Sequence, residues 1–112
     1  MNDFDVVVAP EAVDDLVAIH AYITETESTE RADHVRDHVL DVCASLAALP
    51  GRGHHPPELA RLGVLEYREL HWKPFRVIYE VDDGSVIVHA ILDGRRDLQA
   101  LLRERLLRGG VG

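Results

Sequence analysis

The residues best suited to chemistry are four arginines within the stretch from Glu66 to Asp97, namely Arg68, Arg76, Arg95 and Arg96. A guanidinium group binds carboxylate or phosphate oxygens through paired hydrogen bonds, so this series suits an anionic partner or substrate. A purely structural role is equally open. Arg76 could form a cross-strand ion pair with Glu80 or Glu66, and Arg95-Arg96 could close a turn by a local salt bridge at a helix start.

Histidine side chains offer metal binding as a second kind of chemistry. His34, His38 and Asp41 follow one another at i, i+4 and i+7, a spacing that metal ligands on one side of a helix can use. No further strong ligand is visible beside them, and a solvated polar face is far commoner. His54-His55 lies in a loop rich in Pro and Gly, where a surface position is the default. We therefore expect no metal and no cofactor.

Trp72 and Cys43 are the only residues of their types in the chain. Trp72 lies beside a proline at a strand break, where it either anchors a partner or packs in the core. Cys43 borders an apolar helical stripe, which favours packing over a role as nucleophile. A single cysteine forms no internal disulfide and fits a reducing cytoplasm.

Three successive strands must position the arginines. Apolar and polar residues alternate along 65–71 and 75–81, a β-branched run follows along 85–92, and turn residues separate the three runs. Alternation with period two between turn residues predicts antiparallel strands joined by short turns. If the apolar set that includes Phe75 and Val77 packs under helices, Arg76 projects onto the open face together with Arg68.

The segments around these strands predict helices. A strand over 4–8 precedes a helix over 10–24, a polar turn, and a longer helix over 29–49 whose apolar residues recur every three or four positions. A helical turn is predicted near 58–62, and a last amphipathic helix over 97–108. The order is β-α-α-β-β-β-α, an α+β fold in which an αα-hairpin packs on a small antiparallel sheet. We expect one domain over 1–108 and a flexible tail over 109–112.

The charge is strongly negative and unevenly distributed. The net charge is −8, and residues 1–50 hold eleven acidic but only two basic residues. An acidic chain is a poor candidate for non-specific nucleic-acid binding, although a local basic site in the C-terminal half remains open. No apolar run approaches the ~20 residues that cross a bilayer, and the N-terminus lacks the pattern of a signal peptide. We expect a cytoplasmic protein with no membrane partner.

Five stretches, in this order and spacing, resemble the RelE/ParE superfamily of type II toxin–antitoxin toxins, and they cover nearly the whole chain: A-x-x-D-L-x-x-I-x-x-Y-I at 12–23, L-x-x-x-P-x-x-G at 46–53, P-E-L…G…Y-R-E-L at 57–70, F-R-V-I-Y-E-V at 75–81 and G-R-R-D at 94–97. The resemblance implies a cytoplasmic toxin that a cognate antitoxin holds inactive. ParE-like members poison DNA gyrase, and RelE-like members cleave mRNA in the ribosome.

The resemblance also implies where a RelE-like site would lie. Arg68, Arg76 and Arg96 match the basic positions that stabilise charge on the phosphate. The tyrosine of that site falls on Leu102, however, and Leu70 replaces a further basic residue. A histidine of the strands, His71 or His89, is the remaining candidate for its acid–base role.

The missing groups, the acidic composition and the Gly94–Asp97 ending favour the ParE-like branch, so we predict a gyrase inhibitor that is not an enzyme. A ribosome-dependent endonuclease is the alternative, and a non-toxic antitoxin-binding module is a third. In each case we expect an antitoxin that buries apolar surface in a groove beside the sheet. Its acidic side chains would meet a partner-binding set of Arg68, Arg76, Trp72, Arg95 and Arg96.

Overall fold

The computed structural model describes residues 3–94 and 98–110, with the backbone alone for residues 102 and 106–110. It confirms the α+β class and the predicted order of strands and long helices. The elements are β1 (Asp5–Val8), α1 (Pro10–Thr26), α2 (Thr29–Ser45), the short α3 (Pro57–Ala60), β2 (Tyr67–Trp72), β3 (Phe75–Asp82), β4 (Ser85–Asp93) and α4 (Leu98–Gly110).

The four strands form one mixed sheet in the order β1-β4-β3-β2. β2, β3 and β4 are antiparallel neighbours, as predicted, whereas β1 pairs with β4 in parallel, with Asp5 opposite Ser85. The β3–β4 turn places Asp83 at a φ of 57°, in the left-handed region that Asp tolerates better than most residues. A register shift between Ile78 and Tyr79 interrupts the β3–β4 pairing.

The αα-hairpin covers one face of the sheet. Its predicted apolar stripes are buried there against Val77, Tyr79 and Val88 of the strands. The predicted end of the second helix, at residue 49, is wrong. α2 ends at Ser45, and the next amides bond three residues back, from Leu46 to Cys43 and from Ala47 to Ala44. Leu49 is 62% exposed, so no burial supports a longer helix.

The second face of the sheet is also covered, and the expectation of an open face is wrong. Ile78 and Leu92 of the strands pack there with Leu59 of α3 and with Leu98 and Leu101 of α4. The Pro56-Pro57 pair starts α3 because proline suits a first helical turn, which brings Leu59 onto the sheet. The sheet is therefore the middle layer of the part of the chain that the structure describes.

One ion pair ties α4 to α1 across the end of the sheet. Arg105 of α4 donates to Asp15 at 2.6 Å and to the backbone carbonyl of His89 at 2.7 Å. Asp15 also accepts the backbone N–H of Ile91 in β4, at 2.9 Å. α4 runs two residues further than predicted. The division into one domain and a four-residue tail stays a prediction.

No helix among the described residues is long and apolar enough to span a bilayer.

Candidate functional site

The two strand arginines lie on opposite faces of the sheet, so the prediction that they share an open face is wrong. Arg68 is paired with Tyr79, whose side chain is buried under the αα-hairpin. Arg76 is paired with His71, on the face that α3 and α4 cover. The alternation along each strand was correct, but the register between β2 and β3 decides which residues share a face.

Arg68 binds the backbone of the loop that contains Gly51 and Gly53. Its Nη1 donates to the backbone carbonyl of Gly53 at 2.8 Å, and that of Gly51 lies 3.4 Å from the same nitrogen. The Tyr79 hydroxyl works beside it, donating to the Pro50 carbonyl at 2.8 Å and accepting the N–H of Gly53 at 2.9 Å. A Cβ at Gly53 would stand 2.5 Å from that hydroxyl oxygen, so only glycine fits this close approach.

Arg76 is held by two carboxylates. Its Nε and Nη2 donate to Glu69 at 2.8 and 2.7 Å, and its Nη1 and Nη2 donate to Glu58 at 2.7 and 3.0 Å. These bonds raise the pKa of Arg76 further above its ordinary value. The guanidinium side chain is only 11% exposed. In the free chain, two carboxylates thus offset the charge of Arg76, and the residue has a structural role.

The predicted ion-pair partners of Arg76 were wrong. Residues four apart on a strand are about 13 Å apart, which puts Glu80 out of reach. Glu80 instead bonds His89 at 2.7 Å. The partner on the neighbouring strand is Glu69 rather than Glu66, and Glu58 comes from α3, which periodicity in the strands could not reveal.

Glu69 is the centre of a cluster with two histidines. Its side chain is fully buried, yet it accepts a hydrogen bond from Nε2 of His71. Nε2 of His54 lies 3.9 Å from its other oxygen, and the two imidazole centroids are 5.1 Å apart. Burial alone would raise the pKa of Glu69, but bonds from Arg76 and His71 outweigh it and lower the pKa. The cluster thus keeps a buried carboxylate ionised beside two half-exposed imidazoles.

Sequence reasoning missed both carboxylates of this cluster. Glu69 lies on the same face of β2 as the buried Tyr67, and a carboxylate at a core position of that kind signals a paired charge. His71 was named as an acid–base candidate, and the structure brings it together with His54 rather than with His89. Glu58 gave no comparable signal, because an acidic residue in a first helical turn is common.

Trp72 packs against the histidines of α2. Its ring stacks on His38 with centroids 3.8 Å apart, and His34 and Phe75 approach at 6.2 and 6.1 Å. Half-buried at the border of the core, Trp72 takes the packing role that the sequence left open. Partner binding by Trp72 stays a prediction.

Cys43 is buried in α2, and burial raises the pKa of its thiol to about 11. The thiol is therefore protonated at neutral pH and is a packing group, as predicted. His55 also has a structural contact, with Nδ1 3.0 Å from the carbonyl oxygen of Tyr67.

Arg95, Arg96 and Asp97 lie outside the described residues, as does the side chain of Leu102. Their predicted roles in partner binding or catalysis stay predictions.

A groove of about 1060 Å³ runs along α1 on the hairpin side of the sheet. Its lining includes the apolar side chains of Ile19, Phe75 and Ile91 and the exposed ring of Tyr22. Carboxylates outnumber cations in its lining, which contains Glu11, Asp14, Asp15, Glu27 and Asp93 against Arg31 and Arg105. The groove lining combines apolar side chains with the exposed carboxylates of Glu11, Asp14 and Glu27, and it shares no residue with the Glu69 cluster.

Comparison with known proteins decides the family. A family model described as ParE toxin of the type II toxin–antitoxin system parDE matches residues 6–98, which is most of the chain. The chain belongs to the ParE toxin family. Membership in the ParE family confirms the predicted superfamily and the assignment as the toxin component of a type II toxin–antitoxin module.

Two solved structures share the ParE-like fold of this chain. A structure of the chromosomal ParDE toxin–antitoxin system from P. aeruginosa has a TM-score of 0.67 and 19% sequence identity, covering 79% of this chain and 92% of that one. The toxin–antitoxin complex RelBE2 from Mycobacterium tuberculosis has a TM-score of 0.61 and 15% identity, covering 83% and 93%. At such identities the likeness concerns the fold alone. No curated protein matches the chain significantly.

Proposed function

We propose that a cognate antitoxin holds this ParE-family toxin inactive, and that the free toxin inhibits DNA gyrase in the cytoplasm. The observation that carries this proposal is the ParE family match over residues 6–98. Both similar structures come from toxin–antitoxin systems, which supports an antitoxin as the partner.

The positions of the arginines also favour gyrase over mRNA. A RelE-like site would need Arg68 and Arg76 directed at one phosphate. In the free chain they lie on opposite faces of the sheet, Arg68 against loop carbonyls and Arg76 against two carboxylates. Two of the three predicted cations therefore do not converge.

The gyrase proposal is tested with purified components. Free toxin is titrated into gyrase, relaxed plasmid and ATP, and supercoiled product is measured on gels. We expect supercoiling to stop at saturating toxin and to resume when the cognate antitoxin is added first. Full supercoiling at saturating toxin, in a preparation whose expression arrests growth, would contradict gyrase as the target.

We further propose that the groove along α1 receives the antitoxin. Apolar side chains of the partner would cover Ile19, Tyr22 and Phe75, and its basic side chains would face Glu11 and Asp14. This reverses the expected charge of the partner, because carboxylates outnumber cations in the groove lining. The strand arginines, in contrast, already have acceptors within the chain.

Charge reversal tests the groove. The double substitution Glu11→Lys/Asp14→Lys should weaken antitoxin binding at least tenfold, measured by calorimetry at fixed ionic strength. The matched control is Asp37→Lys/Asp41→Lys, which makes the same charge change at two exposed helical positions outside the groove lining. Equal affinities of the two variants would place the antitoxin elsewhere.

The endonuclease alternative has one observation in its favour. His54 and His71 are neighbouring, half-exposed imidazoles beside an ionised carboxylate, and paired imidazoles can act as general base and general acid at neutral pH. Primer extension on programmed ribosomes tests it. If the unsubstituted toxin cuts mRNA in the A-site codon and His71→Ala does not, the target is mRNA rather than gyrase. If the unsubstituted toxin makes no such cuts, the endonuclease alternative is eliminated.

A further inference from the structure

The Glu69 cluster has the composition of a metal site, and gyrase inhibition assigns the cluster no role. Nε2 of His54, Nε2 of His71 and a carboxylate oxygen of Glu69 offer three ligand atoms, all within 4.8 Å of one another. We propose that these three residues bind a divalent transition-metal ion of the Zn²⁺ type. This inference does not depend on which target the toxin inhibits.

The backbone places the three side chains on one face of the sheet. Glu69 and His71 are two residues apart on β2, so their side chains point the same way. His54 and Glu69 exchange both backbone hydrogen bonds, at 3.1 and 2.7 Å, which sets them directly opposite each other as an antiparallel pair. Backbone pairing therefore holds all three side chains on one face of the sheet.

Small side-chain rotations, with the His71 proton moved from Nε2 to Nδ1, would complete the coordination. Ligand atoms at zinc–ligand distances of about 2.0–2.2 Å lie roughly 3.3–3.6 Å apart in a tetrahedral site. The side chains of His54 and His71 are 59% and 47% exposed, so both rings have room to turn. The same exposure leaves water to fill the fourth position, as in zinc sites with three protein ligands.

The charge of the cluster suits a cation. Arg76 carries one positive charge, while Glu58 and Glu69 carry two negative ones. One negative charge therefore remains within this hydrogen-bonded group when both imidazoles are neutral. Glu58 accepts two hydrogen bonds from Arg76 and so offsets its positive charge with a second carboxylate. Arg76 therefore does not by itself exclude a divalent ion.

The groups around the ligands hold them in place. Arg76 bonds both oxygens of Glu69 and so fixes the plane of the carboxylate, the kind of support that metal-bound carboxylates usually have. Behind His54, Arg68 and the Tyr79 hydroxyl bond the adjacent Gly53. The Glu69 carboxylate and the backbone beside His54 are therefore preorganised, and only the two imidazole rings must turn on binding.

The helical pair His34 and His38 provides the matched control. Its i, i+4 spacing could suit a metal, but both rings pack against Trp72. Metal binding by this pair would require that packing to change. The double substitution His34→Ala/His38→Ala removes two imidazoles, one more than either His54→Ala or His71→Ala, so it is a stringent control.

Isothermal titration of ZnCl₂ into the full chain, prepared without a histidine tag, tests the site. We expect one equivalent to bind, at least tenfold more weakly in His54→Ala and in His71→Ala, and within twofold of the original affinity in the His34→Ala/His38→Ala control. Absence of saturable binding by the unsubstituted chain would overturn the proposal. Loss of binding in the control alone would overturn it equally.

A measurement on the unsubstituted chain removes any dependence on folding of the variants. Diethylpyrocarbonate modifies accessible imidazoles, and mass spectrometry locates each modified histidine. Saturating Zn²⁺ should slow the modification of His54 and His71 at least fivefold while His34 and His38 react at unchanged rates. Protection of the helical pair instead, or of neither pair, would show that Glu69 is not the centre of a metal site.

Discussion

At the scale of single residues, the most consequential contact is that between Arg76 and the buried Glu69. Without the guanidinium, a fully buried carboxylate would keep His71 as a hydrogen-bond donor but lose its ionic partner. Loss of one member of a buried pair is costly because the remaining charge can neither return to water nor find another counter-ion.

Arg76→Met should therefore lower the free energy of unfolding by about 3–5 kcal/mol, measured by urea denaturation at pH 7. Arg61→Met is the matched control, because Arg61 is exposed at the end of α3 and its loss should cost less than about 0.5 kcal/mol. Equal effects of the two substitutions would mean that the Arg76 bonds contribute little.

The Cys43 thiol gives a second prediction at this scale. Its pKa is raised to about 11 by burial, so at pH 8 it should resist thiol reagents such as Ellman's reagent in the folded chain and react fully in urea. Because the folded pKa exceeds the unfolded value, stability from this group is complete below pH 9 and falls as the pH rises towards 11. Rapid labelling of the folded chain would contradict this burial.

The recurrence of arginines and the family resemblance singled out Arg68 and Arg76, but period-two alternation could not predict what they contact. The pattern fixes the faces within one strand, whereas the register between strands depends on turn geometry. The position of α3 also depends on tertiary packing, so Glu58 was not foreseeable. The sequence therefore predicted Arg76 as a site residue but did not predict its carboxylate partners, Glu58 and Glu69.

At the scale of elements, Arg105 links α4 to Asp15 of α1 and to the His89 carbonyl of β4. Arg105→Met should leave Asp15, which is only 8% exposed, without its guanidinium partner. We expect amide exchange in α4 to accelerate by about 10–100-fold, while β3 and the rest of the sheet change less.

Hydrogen exchange with mass spectrometry measures this effect, and Arg103→Met is the control because Arg103 is exposed on the same helix. Equal acceleration by both substitutions would point to a change in helix propensity rather than to the bond with Asp15. Uniform acceleration over all elements would instead mean that the pair stabilises the whole fold.

The order of elements was predictable because apolar residues recur every three or four positions in the helices and every second position in the strands. The predicted end of α2 failed at Leu46 and Leu49 because both continue the apolar spacing although the helix has ended. Leu46 is fully buried and Leu49 is exposed, and three-dimensional packing alone distinguishes them. The parallel pairing of β1 with β4 is likewise a long-range contact that no local pattern records.

At the scale of the whole molecule, stability should fall in acid. Hydrogen bonds from Arg76 hold the pKa of Glu58 below its ordinary value of 4.5. A carboxyl group with a lowered folded pKa contributes stability that is complete above the unfolded value and is lost as the pH falls through the folded one. The urea midpoint should therefore decrease from pH 5 to pH 3.

Glu58→Gln isolates this effect. The variant should be less stable than the unsubstituted chain at pH 7, and the difference between the two should narrow as the pH falls to 3. A constant difference across that range would show that the Glu58–Arg76 pair does not contribute to acid sensitivity.

The reciprocal bonds between His54 and Glu69 have a consequence for solubility. β2 is the last strand of the sheet, and its outer backbone groups would otherwise be available to pair with a strand from another molecule. The loop before α3 occupies that edge with the His54–Glu69 bridge, and at the opposite edge β1 is only four residues long. A chain whose loop is displaced, as by a proline at position 54, should lose monodispersity before it loses its helices.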